Sequence, residues 1–171
     1  MRERRFMKKL SLIAVLMAVT ASVHADVSLN GIFADHMVLQ RDIPVSVYGR
    51  AAPGEKVSVS FAGQSKSAIA DKDGGWTVKL DAMKVAKKSS TMTVVGKNKL
   101  TFTDIVVGDV WVCSGQSNMD FAMGAYGSPY VPKHFELPLV RQFHVSSPPS
   151  MTPETSVKGN THGRRSGDWV V

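Results

Sequence analysis

At 171 residues, 43% of them hydrophobic, the chain is long enough to bury the core of one ordinary domain. Its formal charge of +7 overstates its basicity: five of the 21 basic and one of the 14 acidic side chains fall in the first 25 residues, so the remainder carries 16 and 13, a net +3. That balance excludes a nucleic-acid footprint, and a lone cysteine, Cys113, excludes an internal disulfide framework.

Residues 1–25 read as a secretory signal peptide. Arg2, Arg4, Arg5, Lys8 and Lys9 form a basic head, Leu10 to Val19 an apolar run, and Val23-His24-Ala25 a small-residue cleavage site; Met7 is an alternative start. The apolar run is too short for a mature anchor, and no other stretch is apolar enough to cross a membrane. The expectation is an exported protein, periplasmic or extracellular, with no membrane contact after cleavage.

Residues 26–104 carry the signals of an all-β module. Val27 to Phe33 alternates in part, and Met37 to Gln40 is a short apolar strand. Pro44 to Gly49 alternates, with Val45 and Val47 on one face. After the turn Ala52-Pro53-Gly54-Glu55, Lys56 to Phe61 directs Val57, Val59 and Phe61 inward. Gly63-Gln64 marks a hairpin tip and Ser65 to Ala70 the return strand. Asp71 to Gly75 is a turn, too poor in ligands for a calcium loop, and Trp76 to Leu80 places Trp76, Val78 and Leu80 on one face. Ala82 to Ser90 reads as a polar connection, and Thr91 to Val95 and Leu100 to Phe102 as a hairpin around Gly96-Lys97-Asn98. Lys84, Lys87, Lys88, Lys97 and Lys99 cluster without interleaved aromatics, as on a solvated loop and strand edge. Seven or eight short strands at this spacing predict an antiparallel, jelly-roll-like β-sandwich.

The pattern changes near Asp104. Ile105 to Val112 is a nearly continuous apolar run, as in a strand buried on both faces of a parallel sheet. Small residues follow, Cys113-Ser114-Gly115, then Gln116-Ser117-Asn118-Met119. A serine at the start of a helix there has amide protons and the helix dipole at hand to stabilise an oxyanion, which makes Ser117 a candidate nucleophile. Helix capping by Ser114 and Ser117 explains the same residues equally well, and Met119 breaks the Gly-x-Ser-x-Gly pattern. Beyond it, Gly124, Gly127, Pro129 and Pro132 forbid a long helix, Leu137 to Val145 reads as a second apolar strand, and residues 146–168 as a loop or disordered segment. Residues 105–171 are thus the incomplete beginning of an α/β domain, because they supply one further strand at most.

Ordered blocks resemble the sialate O-acetylesterases of the SGNH-hydrolase superfamily. They are Phe33 to Arg41, Pro44 to Gly49, Ala52 to Val57, Asp73 to Trp76 and Val107 to Met119, with Val140 to Phe143 and Trp169 as later landmarks. The resemblance implies a mainly β chain: a β-sandwich followed by the start of a truncated, flavodoxin-like α/β hydrolase domain. It implies a serine esterase acting on O-acetylated sialic acid or related glycans, with Ser117 as nucleophile and its backbone N–H as oxyanion donor. Asn118 is a candidate second donor. No cofactor and no metal are implied, and the oligomeric state is left open.

One departure bears on activity. The family draws its base from an Asp-x-x-His block near the C-terminus, and none follows Ser117; Asp168 precedes Trp169-Val170-Val171, and His134, His144 and His162 match no such block. Asp120 and Phe121 stand where the family more often has Glu and Trp. The expectation is an N-terminal part of a longer esterase, without useful activity alone. The alternative is a secreted carbohydrate-binding or structural β-module, with Tyr48 and Trp76 as the aromatic candidates and Trp76 expected in the core. Cys113 is expected to be a buried, inert thiol, and His36, beside Asp35, a turn-and-strand residue at a domain interface.

Overall fold

A computed structural model describes residues 26–115, 139–145, 151–152 and 156 of the chain. The expected signal segment, 1–25, lies outside them. Among the described residues there are eight strands and no helix. They are β1 (Ser28–Leu29), β2 (Val38–Gln40), β3 (Val45–Arg50), β4 (Lys56–Phe61), β5 (Gln64–Ile69), β6 (Gly75–Leu80), β7 (Ala86–Val95) and β8 (Lys99–Gly108).

Alternation decides the faces. Val45 and Val47 of β3, Val57, Val59 and Phe61 of β4, and Trp76, Val78 and Leu80 of β6 are all buried, and the residues between them are not. Ala62-Gly63 joins β4 to β5 in two residues, both at positive φ (49° and 78°), the backbone that matches strand twist in the tightest hairpins.

Two sheets result. β1, β3 and β6 pair antiparallel in the order β1-β3-β6, with Val47 opposite Val78 and Gly49 opposite Trp76. The second runs β2-β8-β7-β4-β5. Val47, Trp76 and Leu80 from the smaller sheet share one core cluster with Val57, Val59, Met92, Val94 and Ile105 from the larger. Each fully buried aliphatic side chain there contributes about 1.5–3 kcal/mol relative to exposure. Side chains join the sheets where β5 meets the end of β6: Gln64 Oε1 accepts from the Asp81 amide at 2.7 Å, and Lys66 pairs with Asp81.

Four expectations need correction. β2 and β8 are parallel, Val38 opposite Val106 and Gln40 opposite Gly108, so the larger sheet is mixed rather than antiparallel. The long excursion through β3 to β7 supplies the crossover that parallel pairing requires. Residues 86–90, read as connection, are the first half of β7. Register shifts between Ala86 and Met92 break the alternation there and leave Lys87, Lys88 and Ser89 exposed, which hides the strand in a polar sequence.

The strand expected over Ile105 to Val112 is instead the end of β8, which passes through Asp104 without a break and stops at Gly108. Ile105 and Val107 are buried in the shared cluster, and Val106 is buried outside it. Beyond Gly108 there is no β2 left to pair with, so Trp111 and Val112 are 83% and 91% exposed. Finally, residues 139–145 form no strand; only Gln142 and Val145 make isolated bridges, and Leu139, Val140 and Val145 are exposed.

Candidate functional site

Ser117 and Asn118 lie outside the described residues, as do His134, His162 and Asp168. The structure describes what leads into them. β2 and β8, being parallel, leave the sheet at the same edge, so Gln40 and Arg41 stand beside the segment that runs toward Ser117. The Arg41 amide donates to the Gly108 carbonyl at 2.9 Å, and the Val110 amide donates to Gln40 Oε1 at 2.8 Å. Arg41 Nε donates to Asp109 Oδ1 at 2.9 Å while its Nη1 reaches Asp42. The hydrogen bond to Asp109, with the charges of Asp109 and Asp42, holds the Arg41 guanidinium above its ordinary pKa. Lys84 donates to Asp42 and, as the larger influence, pulls that carboxyl below its ordinary value.

Arg41 and Gln40 belong to the block Phe33 to Arg41 and Asp109 and Val110 to the block Val107 to Met119, so two blocks that the sequence separates by about 70 residues are adjacent in space. From Trp111 to Gly115 the chain has no regular structure and is exposed. Cys113 is therefore an exposed thiol, not the buried one expected, because the strand that was to bury it ends at Gly108.

His36 does not pair with Asp35. It sits at φ 64°, and its Nδ1 lies 2.7 Å from Asp104 Oδ2; Asp35 turns instead to the Thr103 amide and hydroxyl. The two neighbours point apart, as expected. Hydrogen bonds from His36, first, and from Ser89 and Arg141 hold the Asp104 carboxyl below its ordinary value, so it is ionised near neutrality and His36 Nδ1 is the donor. Arg141 approaches the same group: its Nη2 lies 3.1 Å from Asp104 Oδ1 and Oδ2, and its Nη1 donates to the His36 carbonyl at 2.9 Å and to the Asp104 carbonyl. No spacing in the sequence announces this cluster.

Trp76 packs in the core as expected, and Tyr48 is partly exposed, its ring edge-on to Phe33 at 5.2 Å. Asp71 accepts the amides of Asp73 and Gly75 through Oδ1, so Asp71 to Gly75 is a turn; the Gly75 bond is the main cause of its lowered pKa. Among the described residues no group of three or more His, Cys, Asp or Glu is placed to hold a metal ion.

No family model matches the chain. It is similar to the sialate O-acetylesterases of Mus musculus (30% identical, over 64% of this chain and 23% of the relative), Pongo abelii (35%, over 51% and 19%) and Homo sapiens (35%, over 51% and 19%). It is also similar to the crystal structure of a carbohydrate acetylesterase from Xanthomonas citri, at 33% identity and a TM-score of 0.71, over 78% of this chain and 31% of that one. The chain spans about a fifth to a quarter of the length of the curated relatives it matches. Over the part that aligns, the chain is similar to the sialate O-acetylesterases and to a carbohydrate acetylesterase.

Proposed function

We propose that this chain is the N-terminal part of an exported carbohydrate esterase, a β-sandwich leading into a flavodoxin-like SGNH hydrolase domain, that removes O-acetyl groups from sialic acid or related glycans. Ser117 attacks the acetyl carbonyl. Its own N–H, with Asn118 as a second donor, stabilises the tetrahedral oxyanion, and water then hydrolyses the acetyl-enzyme. The leader of residues 1–25 directs export.

The observation that carries this reading is the likeness to a carbohydrate acetylesterase at 33% identity and a TM-score of 0.71, alongside the esterase relatives. It is supported by the contact between the blocks around Arg41 and Asp109, which the resemblance names separately. An unassisted serine hydroxyl is a weak nucleophile, and no Asp-x-x-His block follows Ser117, so the chain as it stands turns over substrate poorly.

The test offers an activated acetyl ester and an O-acetylated sialic acid to the purified chain and measures released acetate. Release close to the buffer rate is expected, and whatever exceeds it disappears in Ser117→Ala and survives Cys113→Ser. Release above buffer that Ser117→Ala leaves unchanged removes Ser117 as nucleophile. Rapid release abolished by Ser117→Ala keeps the nucleophile and overturns the statement about the missing base.

A further inference from the structure

His36 and Asp104 are both in the left-handed backbone region, at φ 64° and 52°. That conformation costs most side chains about 1–2 kcal/mol, although Asp and His adopt it more readily than others. The two residues are adjacent across the β2–β8 edge, where the His36 amide donates to the Thr103 carbonyl at 3.0 Å. Both carbonyls are directed at one group, the Arg141 guanidinium, whose side chain is only 3% exposed. The carboxylate of Asp104 completes the seat by taking Arg141 Nη2 on one side and His36 Nδ1 on the other. Strained backbone of this kind persists where the surroundings hold it in place and points to a task for the site.

We infer that Arg141 is a clasp that docks residues 139–145 on the β-sheets, and that the seat formed by His36 and Asp104 exists to receive it. The guanidinium suits this seat because its planar fork serves two carbonyls and a carboxylate at once; an ammonium on a flexible stem does not. The clasp has a geometric consequence. Ser117 lies in sequence between two anchored points, the Gly108–Val110 exit held by Gln40 and Arg41, and Arg141 held by His36 and Asp104. The clasp itself stands on these contacts alone; only its bearing on Ser117 rests on the proposed esterase.

The test is amide hydrogen exchange on the full chain, comparing wild type with Arg141→Gln, Arg141→Lys and Asp104→Asn. Exchange over residues 139–145 rises at least tenfold in Arg141→Gln and nearly as much in Arg141→Lys, while the amides of β4 and β6 keep their protection. Adding Asp104→Asn to Arg141→Gln produces little further change over 139–145, because the two groups act on one contact. Exchange over 139–145 within twofold of wild type in Arg141→Gln overturns the clasp. So does a loss of β4 and β6 protection in all three single variants, which would make Arg141 part of the global core. Exchange needs no substrate, so failure of the esterase reading shows separately, as acetate release indifferent to Ser117.

Discussion

Val27 enters the core with no strand partner for its own backbone, and Asn98 supplies one. The Asn98 amide receives the Val27 N–H on Oδ1 at 2.7 Å and gives Nδ2 to the Val27 carbonyl at 3.0 Å. Val27 is 2% exposed, so neither backbone group has ready access to water. Asn98→Ala removes both bonds. Two hydrogen bonds of about 1 kcal/mol each, or one stranded buried group at about 1–3 kcal/mol, put the loss near 1–3 kcal/mol if Val27 stays in place. If the segment instead lifts away, the Val27 side chain forfeits about 1.5–3 kcal/mol of burial, so the two limits agree. At roughly 2–4 °C per kcal/mol for a chain of this size, the melting temperature falls by about 2–12 °C. Urea unfolding followed by far-UV circular dichroism measures the free energy, and exchange of the Val27 amide separates the two limits. Asn98→Asp keeps the acceptor for the Val27 N–H but faces the Val27 carbonyl with a carboxylate, so it recovers at most half of the loss. A change below about 0.5 kcal/mol in Asn98→Ala would refute the argument that this side chain replaces a strand.

Leu80→Ala, at a fully buried position between the sheets, lowers stability by about 2–5 kcal/mol in the same urea assay. Ala62→Asn, at φ 49° in the β4–β5 hairpin, raises stability by roughly 0.5–1 kcal/mol, because asparagine tolerates the left-handed region better than alanine; a loss of stability counts against the assigned turn. The folded Asp104 carboxyl has a lowered pKa, so its contribution is complete above the unfolded value of about 3.9 and is lost as pH falls through the folded one. The stability gap between wild type and Asp104→Asn that comes from this carboxylate is therefore complete above about pH 4 and begins to close as pH falls below it. A gap that does not shrink at all as pH falls below about 4 would exclude the carboxylate, with His36, Ser89 and Arg141 around it, as its origin.

Where one face of a strand is buried and the other wet, the elements were legible from residue order: β4 and β6 match the alternation of Val57, Val59 and Phe61 and of Trp76, Val78 and Leu80. Periodicity fails at β7, where two register shifts move Lys87, Lys88 and Ser89 out of phase with Met92 and Val94. It misleads after Gly108, because an apolar run reports what a chain could bury and not whether a neighbouring strand remains to pair with it. The contacts leading to the candidate site were legible only as separate blocks. Nothing in the spacing of His36, Asp104 and Arg141 indicates that one guanidinium meets the other two, since that meeting depends on β2 and β8 lying parallel and on two left-handed residues.

The two anchors flanking Ser117 in sequence are unequal, and their burial says which dominates. Arg41, Asp42, Asp109 and Lys84 are all substantially exposed, so each ion pair in that group contributes little and weakens with salt. The exit from β8 is held mainly by the backbone bond of Arg41 to Gly108 and by Gln40, with the charges setting direction rather than strength. Arg141 is different in kind. Its guanidinium is out of water; Nη1 is taken by two main-chain carbonyls, which do not titrate, Nη2 by the Asp104 carboxylate, and Nε is buried without a partner among the described residues, and ions in solution screen such a seat little. Raising ionic strength therefore loosens the Asp109 side before the Arg141 side. Of the two anchors, the more durable is therefore Arg141, which the fold returns to the β-sheets, rather than the exit from β8.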